Sequence, residues 1–171
     1  YNHIYEYQNS VLEKTTPRYY FRRRKNGEMS MASGCGNDIN SNRAMARKLI
    51  VDSARYLVEA FNIDGFRFDL MGLIDIETLK ELETECRKVK KDLIFYGEGW
   101  DMPIDIPHNQ KACLTNCDLL PNYAFFNDVF RDVVKGPTFP DKIHEKGYIN
   151  GNVDYHFGAD YAFHGTVLNH S

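Results

Sequence analysis

The sequence contains no apolar run approaching the ~18 residues of a membrane-spanning helix, no internal repeat and no low-complexity segment. Charge of one sign does not dominate: 21 Lys and Arg stand against 24 Asp and Glu, for a net charge of −3. Neither nucleic acid nor an anionic membrane is therefore expected as a partner. The one basic run, Arg22-Arg23-Arg24-Lys25, reads as a solvated loop. No G-x-G-x-x-G opens a helix after a strand, which removes the main support for a dinucleotide site. Cysteine is scarce, at Cys35, Cys86, Cys113 and Cys117. Cys113 and Cys117 lack the second Cys pair or the spaced histidines that would complete a zinc set, and Cys86 falls in a helical pattern as a small buried residue. This scatter fits a reducing, cytoplasmic compartment better than a disulfide framework. The chain opens on Tyr1 rather than Met, so a start elsewhere is expected.

What the sequence has in quantity is aromatic residues: 13% of the chain, with 11 Tyr and 11 Phe. Such side chains stack on sugar faces or fill cores. Residues 1–39 read as irregular and end in the glycine-punctuated loop Ser33-Gly34-Cys35-Gly36-Asn37-Asp38. A helix is predicted from a cap at Asn40 or Ser41 to about Asn62, with Met45, Leu49, Ile50, Ala54, Leu57, Val58 and Phe61 inward. Ile63 to Leu70 reads as a strand with Gly65, Arg67 and Asp69 on one face and Phe66 and Phe68 on the other. A second helix is predicted from Asp75 to Lys90, a second strand over Leu93 to Tyr96, a weaker strand over Tyr123 to Phe126, and a helix from Asp128 to Lys135. Residues 136–171 carry Gly and Pro and resist assignment. The alternation is that of a parallel α/β sheet, either an open doubly wound sheet or a closed (β/α)8 barrel.

Asp69 closes the first of these strands, and Glu98 closes the next after one intervening helix. A right-handed βαβ unit places such strands side by side, ~4.8 Å apart. Both carboxylates then emerge at the C-terminal edge of the sheet, where α/β folds hold their active sites. Two side chains there can bring their carboxyl groups within the ~5–5.5 Å of a retaining glycosidase, which leaves no room for water and makes one carboxylate the attacking group. Arg67, on the same face as Asp69, favours its ionised form, and an apolar wall at Trp100 would favour a protonated Glu98. The spacing alone is equally compatible with an ordinary Asp–Arg pair and a capping Glu.

The local words separate these readings. Asp64-Gly65-Phe66-Arg67-Phe68-Asp69-Leu70-Met71-Gly72 resembles the nucleophile motif of the α-amylase superfamily, glycoside hydrolase family thirteen, and Tyr96-Gly97-Glu98-Gly99-Trp100 resembles its acid/base motif. Tyr1-Asn2-His3 resembles the tail of its first motif, whose strand-end His contacts the sugar at the cleavage site. Within the superfamily, the Asp-Leu-Met-Gly run, the Ser33–Asp38 loop and Phe126-Asn127-Asp128 are most similar to type I pullulanases, the debranching enzymes.

The resemblance implies a glycosidase that cleaves α-1,6 branch linkages of pullulan, glycogen or limit dextrins by double displacement. Asp69 would be its nucleophile and Glu98 its general acid/base, with His3, Arg67 and Trp100 binding an α-glucan polysaccharide or oligosaccharide. It implies that residues 1–171 are an incomplete (β/α)8 barrel running from the end of strand 3 to beyond strand 6, with 4–39 as the loop after strand 3. Leu70-Met71 stands where α-amylases have Lys-His, which argues against a simple α-1,4 amylase and its calcium site; no metal ligand or cofactor is assigned. Asn2 is read as a hydrogen-bonding residue, and Asp101, beside Trp100, as either a substrate contact or a bystander. The family's later His-Asp motif is missing: neither His156 nor His164 precedes an Asp, and the chain closes on His170-Ser171. The third acid is therefore expected outside this chain, which alone should be inactive. The alternatives are another α-glucan barrel enzyme, such as an isoamylase or branching enzyme, or a non-catalytic glucan-binding relative. His108 and His144 read as ordinary loop histidines.

Overall fold

The computed structural model describes residues 2–165. Tyr1, which opens the first motif, and His170-Ser171 lie outside the described residues, and so does the His164 side chain. The chain divides into two compact units, Tyr1–Phe125 and Phe126–Ser171.

The first unit begins with β1 (His3–Ile4), a short helix α1 (Val11–Thr15) and β2 (Asn37–Asp38), which pairs antiparallel with β1. The loop between them is more ordered than its composition suggests. Phe21 bridges to Ile39 and Arg23 to Met29. Asp38, fully buried, accepts hydrogen bonds from the Ser30 hydroxyl and the backbone N–H groups of Ala32 and Ser33. Burial of an acid is tolerable where donors surround it in this way.

Helix α2 (Ala44–Phe61) follows, then β3 (Gly65–Phe68), α3 (Ile76–Val89), β4 (Ile94–Gly97) and β5 (Tyr123–Phe125). The three strands form one parallel sheet in the order β3-β4-β5. Two expectations for α2 need correction. It starts at Ala44, because Ser41 is engaged elsewhere: its buried hydroxyl accepts from the Asp75 N–H at 3.1 Å, and its carbonyl accepts from the Thr78 hydroxyl at 3.1 Å. Its buried stripe is Ala46, Ile50, Val51, Ala54 and Val58, whereas Met45, Leu57 and Phe61 are exposed. Arg47 and Arg55 reach across to α3, to Asp75 and to Glu85. Asn62 ends it in the left-handed conformation, a common helix stop. Asp75 caps α3, its side chain accepting from the Thr78 N–H at 3.0 Å, while Ile76, Leu79, Leu82 and Cys86 face inward. Val89, in the last turn, is exposed. Burial pushes the Cys86 thiol up to about 11.

One face of the sheet packs on α2 and α3. Phe95 is 1% exposed there and lies 6.0 Å from Phe66 and 5.2 Å from Tyr123, centroid to centroid, with the Arg87 guanidinium 5.1 Å from its ring. Phe95→Ala is expected to cost about 3–5 kcal/mol, measured by denaturant unfolding of the intact protein; a cost under about 1 kcal/mol would contradict this packing. The other face carries Arg67, Ile94, Tyr96 and Ala124, all exposed. Parallel sheets are normally covered on both faces.

The second unit contains α4 (Asp128–Val134), two single-turn helices and α5 (His156–Gly165). The Asn127 side chain caps α4 by accepting from the Phe130 N–H at 2.9 Å, as expected for a helix-capping Asn. Phe130 meets Phe163 edge to face at 4.9 Å. Among the described residues, no helix is long and apolar enough to cross a membrane.

Candidate active site

Register decides where the two acids meet. Phe68 pairs with Gly97 at the end of the β3–β4 ladder, so Asp69 and Glu98 leave the sheet side by side, one residue beyond it. The ladder continues through the Glu98 N–H, which donates to the Phe68 carbonyl at 3.1 Å. Arg67, two residues before Asp69, projects from the same exposed face. Its Nη1 donates to Asp69 Oδ1 at 2.8 Å, and its Nη2 donates to Glu98 Oε1. One planar guanidinium thus spans both acids, the fork geometry that arginine supplies and lysine does not. The Arg67 pKa is raised, chiefly by the hydrogen bond to Asp69, with the charges of Glu98 and Asp69 adding to it.

The second oxygen of Glu98 accepts from the Leu70 backbone N–H at 2.9 Å. The contacts on the Glu98 oxygens are thus N–H donors, where the sequence led us to expect an apolar wall from Trp100. Trp100 is exposed. The Asp69 side chain is 56% exposed and that of Glu98 14%, so the first is open to a ligand and the second is held.

From the other end of the unit, Asn2 donates through Nδ2 to the Asp69 carbonyl oxygen, the hydrogen-bonding role expected of it. Its Oδ1 lies 2.7 Å from His3 Nδ1. The structure therefore gathers His3, Arg67, Asp69 and Glu98 into one contact chain through Asn2. A cavity of about 310 Å³ opens beside it, lined on this side by Asn2, Arg67 and Asp69.

Leu70 is the residue that sequence reasoning missed. Its contribution is a backbone N–H, which no side-chain pattern announces. The group is aimed by a left-handed turn, with φ 44° at a leucine, a conformation that costs a non-glycine residue about 1–2 kcal/mol. The turn closes on Gly72, whose N–H donates to the Glu98 carbonyl at 3.4 Å. A Cβ at Gly72 would lie 1.9 Å from the Trp100 carbonyl oxygen. Gly72→Ala must therefore displace one of the two backbones. It is expected to lower stability by about 1–3 kcal/mol and kcat/KM at least about tenfold through the shifted Glu98; unchanged values for both would contradict the turn's role.

The site places the chain in a broad class, the α/β proteins with paired acids, here bridged by arginine, at the C-terminal edge of a parallel sheet, the edge at which such folds bind ligands. Comparison with known proteins narrows this. No family model matches the chain. It is 47% identical over 152 residues to the pullulanase of Bacillus subtilis strain 168, covering 89% of this chain and 21% of that protein. It superposes with a TM-score of 0.92 on the crystal structure of pullulanase complexed with maltotriose from Anoxybacillus sp. LM18-11, at 40% identity over 97% of this chain and 24% of that one. The corresponding values for the B. subtilis pullulanase type I crystal structure, complexed with maltose, are TM-score 0.87, 45% identity, 92% and 22%. The chain is similar to pullulanases over most of its own length, and it spans about a fifth to a quarter of the length of these relatives.

Proposed function

We propose that this chain is the part of a debranching glycoside hydrolase that carries its nucleophile and its general acid/base, acting on α-1,6 linkages of pullulan, glycogen and limit dextrins. The observation that carries the reading is the Arg67 bridge between Asp69 and Glu98 at the ends of two adjacent parallel strands. In a retaining double displacement, Asp69 attacks the anomeric carbon while Glu98 passes its proton to the departing glycosidic oxygen. A glycosyl ester on Asp69 results. Glu98, now a carboxylate, takes a proton from water as that water attacks the ester, and both acids return to their starting states. Arg67, bonded to both side chains, positions the nucleophile and the acid/base relative to one another. His3 and Trp100 are assigned to binding the sugars on either side of the cleaved bond. The ligand is an α-glucan oligosaccharide or polysaccharide, the class represented by maltotriose and maltose in the related crystal structures.

The proposal includes the architecture. The three parallel strands would be consecutive staves of a (β/α)8 barrel, with residues 4–39 as the loop after the preceding stave. The exposed face with Ile94 and Tyr96 would then line the barrel interior. The third acid would come from another part of a longer protein, and residues 1–171 alone would not turn over substrate. The test is product analysis with the intact protein. Pullulan, maltotriosyl units joined by α-1,6 bonds, should yield maltotriose, while linear α-1,4 amylose should persist; cleavage of amylose with pullulan left intact would overturn the assignment.

A further inference from the structure

The segment that follows the Glu98 strand holds a cluster to which the proposed mechanism gives no role. Donor atoms of Asp101, His108 and Cys113 all lie within 4.8 Å of one another. We propose that these three residues form a zinc-class metal site that clamps the loop between Trp100 and Leu114.

The donor set suits the ion. A thiolate, an imidazole and one carboxylate make a borderline-soft site that favours Zn²⁺ over Ca²⁺ or Mg²⁺, which take all-oxygen shells. The His108–Asp101 separation fits as well. Bonds of ~2.0 Å to N and O and ~2.3 Å to S, at tetrahedral angles, hold ligand atoms roughly 3.3–3.6 Å apart. His108 Nε2 and Asp101 Oδ2 are 3.6 Å apart, beyond hydrogen-bond length and within reach of closure across an ion.

The ligands are already held from behind, as metal sites require. Lys111 Nζ donates to Asp101 Oδ1 at 2.7 Å and to the Met102 carbonyl at 2.8 Å, leaving Oδ2, the oxygen that faces His108. Asn116, buried, donates through Nδ2 to the carbonyls of His108 at 2.7 Å and Lys111 at 3.0 Å, and lies 3.5 Å from Cys113 Sγ. The Thr115 hydroxyl stands 3.3 Å from His108 Nε2 and 3.2 Å from Cys113 Sγ, where it can donate to the thiolate once the ion takes the imidazole. On binding, Cys113 loses its thiol proton to solvent. Asp101 and His108 are exposed and Cys113 is buried, so the fourth position opens to water. The Leu114 N–H donates to the Gly99 carbonyl at 2.7 Å, which ties the clamp to the strand end that presents Glu98. Cys117, the other half of the cysteine pair in the sequence, is not among the converging atoms.

The test uses the intact protein, freed of metal by a chelator and titrated with Zn²⁺, and with Co²⁺ followed by absorbance. The expected result is one zinc equivalent whose affinity falls more than about 100-fold in His108→Ala and Cys113→Ser, beyond the 10–100-fold that loss of a supporting contact costs. A cobalt–thiolate charge-transfer band should vanish in Cys113→Ser, and Cys117→Ser should bind as the parent does. Three results would overturn the proposal: variants that bind as the parent does, an equal loss in Cys117→Ser, or Ca²⁺ competing zinc away. His108 is on the surface, so His108→Ala decides the matter should Cys113→Ser fail to fold.

Discussion

Asp69→Asn in the intact protein is expected to lower kcat/KM on pullulan by about 10⁴–10⁶-fold, the scale on which removing the nucleophile of a covalent mechanism acts. The amide keeps an oxygen for the 2.8 Å bond from Arg67 Nη1, and the Asp69 carbonyl bonded by Asn2 is untouched. The side chain is 56% exposed, so unfolding stability should change by less than about 1 kcal/mol. Loss of turnover without loss of fold distinguishes chemistry from scaffold. A drop smaller than tenfold would remove Asp69 from the reaction.

Glu98→Gln should cost about 10²–10⁴-fold on pullulan, the worth of a positioned acid/base, and the loss should depend on the leaving group. Pullulan loses a sugar alkoxide, which needs the proton that glutamine cannot give. An activated aryl or fluoride leaving group departs without it, so the first step on such a substrate should stay within about tenfold of the parent, while hydrolysis of the glycosyl ester stays slow because Glu98 is also the base. Asp69→Asn should show no such recovery. Equal losses on both substrate types would mean that Glu98 acts by position or charge rather than by moving a proton.

The strands that carry Asp69 and Glu98 were the most legible part of the sequence. Alternation over Gly65 to Asp69 separated the Arg67–Asp69 face from the Phe66–Phe68 face, and one strand–helix–strand unit sufficed to bring Glu98 alongside, because parallel neighbours at this spacing leave few alternatives. The N-terminus of α2 was misplaced because Ser41 is a good cap by type, yet its hydroxyl serves the start of α3; local preference lost to a tertiary contact. The stripe on α2 was offset: periodicity finds an apolar face, but Ala46 and Val51 are buried and Met45 and Phe61 exposed, because the packing around a helix, not its period, sets how far the face is turned. Part of the order within residues 4–39 comes from one buried acid, Asp38, whose partners Ser30, Ala32 and Ser33 are nearby in sequence but carry no pattern. Around Glu98 the signal ran out for a different reason. Trp100 suggested an apolar wall, whereas the contacts found are Arg67 and the Leu70 N–H, and a backbone donor aimed by a left-handed turn leaves no mark in composition. Asp101, His108 and Cys113 escaped notice because their spacing matches no metal motif; convergence came from the fold of the loop.

The most direct test of Asp69 as nucleophile and Glu98 as acid/base is to trap the covalent intermediate. The Glu98→Gln form of the intact protein, incubated with α-maltotriosyl fluoride, should accumulate the glycosyl ester, since fluoride leaves without acid help and hydrolysis lacks its base. Peptide mass spectrometry should then find one maltotriosyl adduct on the peptide containing Asp69, absent from the Asp69→Asn, Glu98→Gln double variant. An adduct on another residue, or turnover of the fluoride with inversion at the anomeric carbon and no adduct at all, would contradict the account.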